Sequence, residues 1–332
     1  MKMNNTPVEI WQEIIKSKNP ICTIDSRFDC DAFGSTLTLR KILKEQYSID
    51  LRLTYVDTIP AYALKEALFD FKKVEQGLDP QKIDYSKHDL LIIMDSGSEY
   101  HTSMDLEYKL PAEIKKINID HHDTNEFYGD LNYVDATAVS TCSILFKILK
   151  ENNIPIDQEC AQMLLSGQYT DSGFFQFEKV SSNEFRITAE LTDLGASVYK
   201  LSQKLFNNES IHSIKFKELV FSKVVVEGDY AYSTYLQHDL VDRGIVRGEV
   251  PTKAVDLIKR IAGTKFVFVT SQDSRGVFGT SFRAHEAGYD VSKFAKALGG
   301  GGHLAAASCD LVEAKTLEEA LSMTKEVIKS LA

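Results

Sequence analysis

Four short apolar runs that each stop at a carboxylate constrain this chain more than any other feature. Ile21-Cys22-Thr23-Ile24 meets Asp25, the run over 51–56 meets Asp57, Leu90-Leu91-Ile92-Ile93-Met94 meets Asp95, and the run over 114–119 meets Asp120. Runs this short and this apolar read as strands buried on both faces. A polar turn and a helical pattern over 32–45 follow the first of them. Apolar strands alternating with helices predict an α/β fold, with a Rossmann-like, mostly parallel sheet in the N-terminal part. In such sheets, ligands bind outside the carboxyl ends of the strands, so the acidic residues stand where chemistry is expected.

The rest of the chain divides around this pattern. Thr6-Pro7-Val8-Glu9 joins a cap residue, a proline at the first helical position and a glutamate at the third, and it predicts a helix start. Helical patterns follow over 143–149, 158–169, 183–194, 198–205 and 213–219. A strand-rich segment comes next, over 224–226, 231–236, 265–270 and 276–282, and a last helix over 316–330 opens on Thr316-Leu317-Glu318-Glu319. We therefore expect an N-terminal domain over 1–205, a helical connector over 206–222 and a smaller C-terminal α/β domain over 223–332. A length of 332 residues suits two domains, and 43% hydrophobic with 26% charged residues excludes a disordered chain.

Charge narrows the partners. A formal net charge of −10 argues against affinity for long nucleic acid, whose phosphates need a basic surface, but leaves small anions open. Five scattered cysteines without a CxxC pair suit a reducing compartment. With no apolar stretch resembling a secretory signal or a membrane span, a cytoplasmic protein with no membrane partner is expected.

Acidic residues and histidines gather in four clusters: Asp25-Ser26-Arg27-Phe28-Asp29-Cys30-Asp31, Asp95-Ser96-Gly97-Ser98, Asp120-His121-His122-Asp123 and Thr170-Asp171-Ser172-Gly173. One DxD alone would read as a helix cap with solvated neighbours. Four clusters, three of them beginning where a strand ends, read as ligands for divalent ions. Carboxylate and imidazole donors suit Mn²⁺ or Mg²⁺, and the lack of paired thiolates disfavours structural zinc. A carboxylate shared by two ions holds them ~3.5–4 Å apart, the spacing used in phosphoryl displacement. Farther on, Gly299 to Gly302 followed by His303-Leu304-Ala305-Ala306-Ala307 reads as a glycine loop feeding a small-residue helix, whose backbone N–H groups can approach an anion. Ser281-Phe282-Arg283 at a strand end offers a bidentate phosphate ligand. Phe174, Phe175 and Phe177 either join the core or stack on a base.

Asp29-x-Asp31, Asp95, Asp120-His121-His122 and Asp171, with the distal Gly299-Gly300-Gly301-Gly302-His303, make the chain resemble the DHH phosphoesterase family with its DHH-associated C-terminal domain. The match covers nearly the whole chain in the right order, and within the family it resembles the oligoribonuclease and pAp-phosphatase branch. The resemblance implies two divalent ions, Mn²⁺ above Mg²⁺ or Co²⁺, one held by Asp29 and Asp95 and the other by Asp31, Asp95, His121 and Asp171. Asp25 stands where the family carries a histidine, and as a hard oxygen donor it is counted among the metal ligands. His122 is implied to contact the scissile phosphate or protonate the leaving oxygen, while Arg283, Gly300, Gly301, Gly302 and His303 grip the far end of the nucleotide.

The activity so implied is hydrolysis of short oligoribonucleotides, pAp or related small nucleotides by metal-activated water. The N-terminal domain would cut and the C-terminal domain would measure, in a chain for which the family makes a homodimer reasonable. Two rivals stand beside it: an inorganic pyrophosphatase or exopolyphosphatase of the same superfamily, and a nucleotide-binding regulator without catalysis.

Overall fold

The computed structural model describes residues 4–24, 29–54, 79–103, 105, 107–207, 209–247, 250, 253–286 and 288–331. The chain forms two units, Met1–Asn207 and Asn208–Ala332. Asp25 and Asp57, each expected at a strand end, lie outside the described residues.

In the first unit the expected cap forms before α1 (Pro7–Lys16): Thr6 Oγ1 accepts the Glu9 N–H at 3.2 Å and the Glu9 carboxylate accepts the Thr6 N–H at 2.8 Å. Strands β1 (Pro20–Ile24), β2 (Arg52–Thr54), β3 (Leu90–Met94), β4 (Lys116–Asp120) and β5 (Leu131–Val134) make one wholly parallel sheet in the order β2-β1-β3-β4-β5. β5 is an addition to the sequence reading, where its half-apolar Leu131-Asn132-Tyr133-Val134 gives a weaker signal than the others.

Alternate residues of these strands enter different cores. Cys22, Ile92, Met94, Ile117 and Ile119 face a helical layer containing Leu39, Ile144, Leu145, Ile148 and Leu164. Ile21, Leu91 and Ile93 face the other side with Leu110 and Ile114. Burial on both faces explains why the runs are continuously apolar rather than alternating. The helical layer includes α2 (Cys30–Tyr47), with α3 (Glu99–Ser103) a short helix after β3, then α4 (Thr141–Glu151), α5 (Gln158–Asp171), α6 (Ser182–Asp193) and α7 (Val198–Phe206).

The second unit begins with α8 (Ile211–Ser222), whose Phe216, Leu219 and Val220 are fully buried against Ala231, Val267 and Val269 of its sheet. The segment expected to be a connector is thus largely a core helix of this unit. Its sheet runs β10-β11-β9-β8-β7-β6, from β6 (Val225–Glu227), β7 (Tyr230–Tyr235), β8 (Phe266–Gln272), β9 (Phe278–Ala284), β10 (Gly301–His303) and β11 (Ala306–Leu311). All neighbours are antiparallel except β7 and β8. Helices α9 (Gln237–Asp242) and α10 (Ala254–Ile258) share the core of α8. Phe266, Phe268 and Phe282 face α11 (Ser292–Ala297) and α12 (Leu317–Leu331) on the opposite side.

One expectation is overturned here. The glycine run does not feed a helix: Gly301, Gly302 and His303 pair with Ser308, Ala307 and Ala306 as an antiparallel hairpin. The alanines favour a helix locally, but Ala307, Cys309 and Leu311 are buried while Ser308 and Asp310 are exposed, a period of two that only a strand satisfies. The glycines instead follow the carboxyl end of α11, where the Gly300 N–H closes on the Ala295 carbonyl at 2.8 Å. The helix N-terminus invoked for anion binding is therefore absent at this loop. Among the described residues no helix is long and apolar enough to cross a membrane.

Candidate metal centre

Strands β1 and β3 are hydrogen-bonded neighbours although β2 separates them in sequence, so the chain reverses its winding direction between them. The carboxyl ends beside such a reversal leave a crevice that loops do not fill. Asp95 follows β3 there, and its N–H bonds the Ile119 carbonyl at 3.0 Å, bringing it beside the end of β4. Its φ of +57° is left-handed, a conformation an L-residue keeps only when its surroundings impose it. Thr141 Oγ1 donates to Asp95 Oδ1 at 3.0 Å, fixing the fully buried carboxylate.

Asp31 lies in the first turn of α2 and is held by a second helix end. The Thr141 N–H donates to its Oδ2 at 2.6 Å and the Cys142 N–H to its Oδ1 at 2.8 Å, so the amino end of α4 grips both oxygens. This arrangement needs α5 close by. A Cβ on Gly167 would lie 2.4 Å from Cys142 Sγ and 2.6 Å from Asp31 Oδ1, so only glycine permits the approach that sets Asp171, one turn later, beside the same spot.

His121 enters from the end of β4. Its Nε2 stands 3.3 Å from Asp171 Oδ2, 3.4 Å from Asp95 Oδ1 and 3.9 Å from Asp31 Oδ2. Both ring nitrogens are buried, and neither has a hydrogen-bond partner among the described residues. Burying an unpaired imidazole costs free energy unless something else takes its lone pair or proton. Asp31, His121 and Asp171 have ligand atoms close enough to hold one ion, as have Asp95, His121 and His122. Burial, with the charges of Asp95 and Asp29, pushes the Asp31 carboxyl up to about 8. Burial and the charges of Asp31 and Asp29 do the same to Asp171, also to about 8. Carboxylates crowded this way resist ionising together, and a cation between them relieves the repulsion. The donor set therefore fits a divalent ion.

His122 is oriented differently. Its Nδ1 lies 2.7 Å from Asp120 Oδ1, and Asn125 donates Nδ2–H to the other Asp120 oxygen, to Asn118 Oδ1 at 2.8 Å and to the Ser96 carbonyl at 3.4 Å. Burial alone would raise the Asp120 carboxyl, but hydrogen bonds from His122 and Asn125 and the adjacent histidine charges hold it below the usual carboxylate range. Asp120 so held presents one fixed acceptor and sets the plane of the His122 ring.

Of the sequence-derived residues, Asp31, Asp95, His121 and Asp171 are brought together, with His122 beside them. Asp29 caps α2: its Oδ1 accepts the Asp31 N–H at 3.1 Å and the Ala32 N–H at 2.9 Å, which leaves one carboxylate oxygen uncommitted to the cap. It belongs to neither candidate group, and Asp25 lies outside the described residues. In the second unit, His303, Ala306 and Arg283 form one register row across β10, β11 and β9, with Gly301, Ser308 and Ser281 in a parallel row two residues away. Directly opposed residues share a face, so Arg283 and His303 flank a strip of small residues. Arg283 Nε donates to Asp256 Oδ1 at 2.8 Å and Nη1 to its neighbour's carbonyl, Phe282 O, at 2.9 Å. Gly300 stands at the turn into this hairpin, and Gly302 within it.

Thr141, Cys142, Gly167 and Asn125 went unread in the sequence. The first two act through backbone N–H groups on Asp31, which no residue type announces, and Gly167 acts by what it lacks. Asn125 carries a readable signal, an amide three residues past the histidine pair, but one that a turn would equally supply.

Comparison with known proteins bears on the family and the fold. Residues 21–168 match the DHH family, N-terminal domain, and residues 230–330 match the DHHA1 domain. The chain is 23% identical over 281 residues to the bifunctional oligoribonuclease and PAP phosphatase NrnA of Bacillus subtilis, covering 83% of this chain and 84% of that one. It is 26% identical over 302 residues to the Thermus thermophilus protein of the same name, covering 91% and 86%. An exopolyphosphatase-related protein from Bacteroides fragilis has the same fold, with a TM-score of 0.80 at 18% identity over 98% of this chain and 96% of that one.

Proposed function

Because the chain belongs to the DHH family, with a DHH domain followed by a DHHA1 domain, we propose that it is a metal-dependent phosphoesterase that hydrolyses short oligoribonucleotides, pAp or related small nucleotides. The observation that carries this reading is His121 Nε2, buried without a hydrogen-bond partner among the described residues and ringed by Asp31, Asp95 and Asp171. Those four residues would hold one divalent ion. Asp29 and Asp95, with Asp25, would hold a second, and Mn²⁺ suits the mixed carboxylate and imidazole donors. Bound ions would supply an activated water and offset the charge of the phosphate under attack.

The chain's own side chains do the rest. Thr141 and the amino end of α4 keep Asp95 and Asp31 from turning away as the charge in the site changes. His122, aligned by Asp120, is the proton donor to the leaving oxygen. On the second unit, the strip between Arg283 and His303 would receive a terminal phosphate through the guanidinium, the imidazole and the backbone of Gly300, Gly301 and Gly302. Asp256 holds the guanidinium through Nε, a fixed geometry for a bidentate partner. The names of the Bacillus and Thermus relatives support the nucleotide class, and the net charge of −10 supports short substrates over long strands.

The decisive experiment compares kcat/KM of the Mn²⁺-loaded chain on pAp, RNA of graded length, cyclic di-AMP and pyrophosphate. Preference for pAp and the shortest RNAs is expected. Turnover confined to pyrophosphate would move the assignment to a pyrophosphatase, and no turnover of any of them would remove the enzyme reading.

A further inference from the structure

Helix α5 ends at Asp171, and the chain then does something unusual. Gly173, Phe174 and Phe175 follow one another with φ of +58°, +61° and +63°, a left-handed turn containing two bulky residues that ordinarily avoid that region. The turn is tied down at Ser172: its carbonyl accepts the Gln176 N–H at 3.0 Å and the Phe177 N–H at 3.1 Å, and its Oγ accepts the Phe175 N–H at 3.0 Å. Strain of this kind persists only where the surroundings enforce it, and it concentrates at ligand sites.

The turn sorts three phenylalanines. Phe174 and Phe175 pack on Tyr169, with ring centroids at 5.3 and 5.5 Å, and join the edge of the core. Phe177 goes the other way: it is 60% exposed and has no aromatic partner among the described residues. Nor does it swing away into water, because the ring lies back over Gly173. A Cβ on that glycine would fall 2.4–2.6 Å from three of its ring atoms. A flat aromatic face is thereby held over Gly173, which follows Asp171 by two residues, with no apolar core to account for it. Aromatic rings presented in this way stack on nucleobases whatever the base.

We propose that Phe177 is the platform on which the nucleobase next to the attacked phosphate stacks. The inference rests on the nucleotide reading above and adds a base-binding subsite to it. The left-handed turn fixes the ring's position relative to Asp171, so the stacked base would register its phosphate against the acidic cluster.

The test compares kcat/KM of the full, metal-loaded chain on a 5′-phosphorylated adenine dinucleotide and on the same molecule carrying one abasic sugar, placed on each side of the phosphate in turn. The wild-type chain should favour the complete dinucleotide over one of the abasic forms by ~5- to 150-fold, the range of a single base stack. Phe177→Leu, which keeps an apolar cover over Gly173, should erase that ratio, and Phe177→Tyr should retain it. An unchanged ratio in Phe177→Leu, or no ratio in the wild-type chain, overturns the proposal while leaving the phosphoesterase reading intact. If the wild-type chain cleaves neither molecule, the functional reading fails instead. Equilibrium dialysis of pAp against ribose 3′,5′-bisphosphate then decides Phe177 alone: weakened pAp binding in Phe177→Leu supports the platform, and equal binding overturns it.

Discussion

The parallel sheet of the first unit and the mixed sheet of the second each carry a cluster of polar side chains, but the first encloses Asp31 and Asp95, whereas the second largely covers Arg283 and leaves His303 and Ser308 facing water. At the first, Asp31 and Asp95 are almost wholly enclosed and His121 is nearly so, with Asp31 held by helix N–H groups and Asp95 by the Thr141 hydroxyl. At the second, His303 and Ser308 are exposed and Arg283 rests on a single carboxylate. Burial makes electrostatics strong and geometry rigid, which suits moving charge in a reaction. Exposure makes contacts weaker and exchangeable, which suits gripping and releasing a substrate. The contrast is consistent with the proposed division, chemistry in one unit and selection in the other.

That contrast can be broken by mutation. His121→Ala should have the largest effect, a loss of roughly 10³-fold or more in kcat together with bound Mn²⁺, since metal chemistry contributes several kcal/mol. Metal analysis beside turnover checks it, and full metal content with wild-type kcat would dissolve the proposed centre. Asn125→Asp comes next: it keeps the Oδ acceptor that the Phe127 N–H uses at 2.7 Å and removes the donors to Asp120 and Asn118. We expect kcat to fall roughly 10- to 100-fold with metal content retained, the usual cost of losing an orienting partner. A wild-type kcat would mean that Asn125 only shapes its turn.

Arg283→Ala tests the other side. It should raise KM for pAp about tenfold or more, the worth of one charged hydrogen bond, and leave an aryl phosphate nearly unaffected. Equal effects on both would place Arg283 outside recognition. The last prediction concerns stability. Asp31 and Asp171 have usual values of 3.8 and are each pushed up to about 8 in the folded chain, so the folded state keeps protons that the unfolded chain releases. Stability of the metal-free chain from this cluster therefore falls as pH rises from about 4 to 8. Metal binding needs the charged carboxylates and should raise Tm more at pH 8 than at pH 5. Calorimetry with and without Mn²⁺ at the two pH values would show it, and an equal gain at both would contradict the crowding.

How far the sequence carries depends on what each residue contributes. The apolar runs over 90–94 and 114–119 had one reading as doubly buried strands, and they became β3 and β4 with Asp95 and Asp120 at their ends. Thr6 and Glu9 predicted their own cap because both partners lie within one turn. The alanines after His303 misled because propensity is local, whereas pairing with β9, 23 to 33 residues earlier, decides that stretch.

Side-chain chemistry and hydrophobic period are written residue by residue, so the sequence alone determined the parallel α/β sheet, the acidic clusters and the class of donor atoms. What only the tertiary structure decided depends on distance between segments. It set Asp31 on the amino end of α4, brought α5 against it through Gly167, made Asp29 a cap, and turned Phe177 outward while its two neighbours packed in. Backbone N–H groups and the absence of a Cβ have no letter of their own until the chain folds around them.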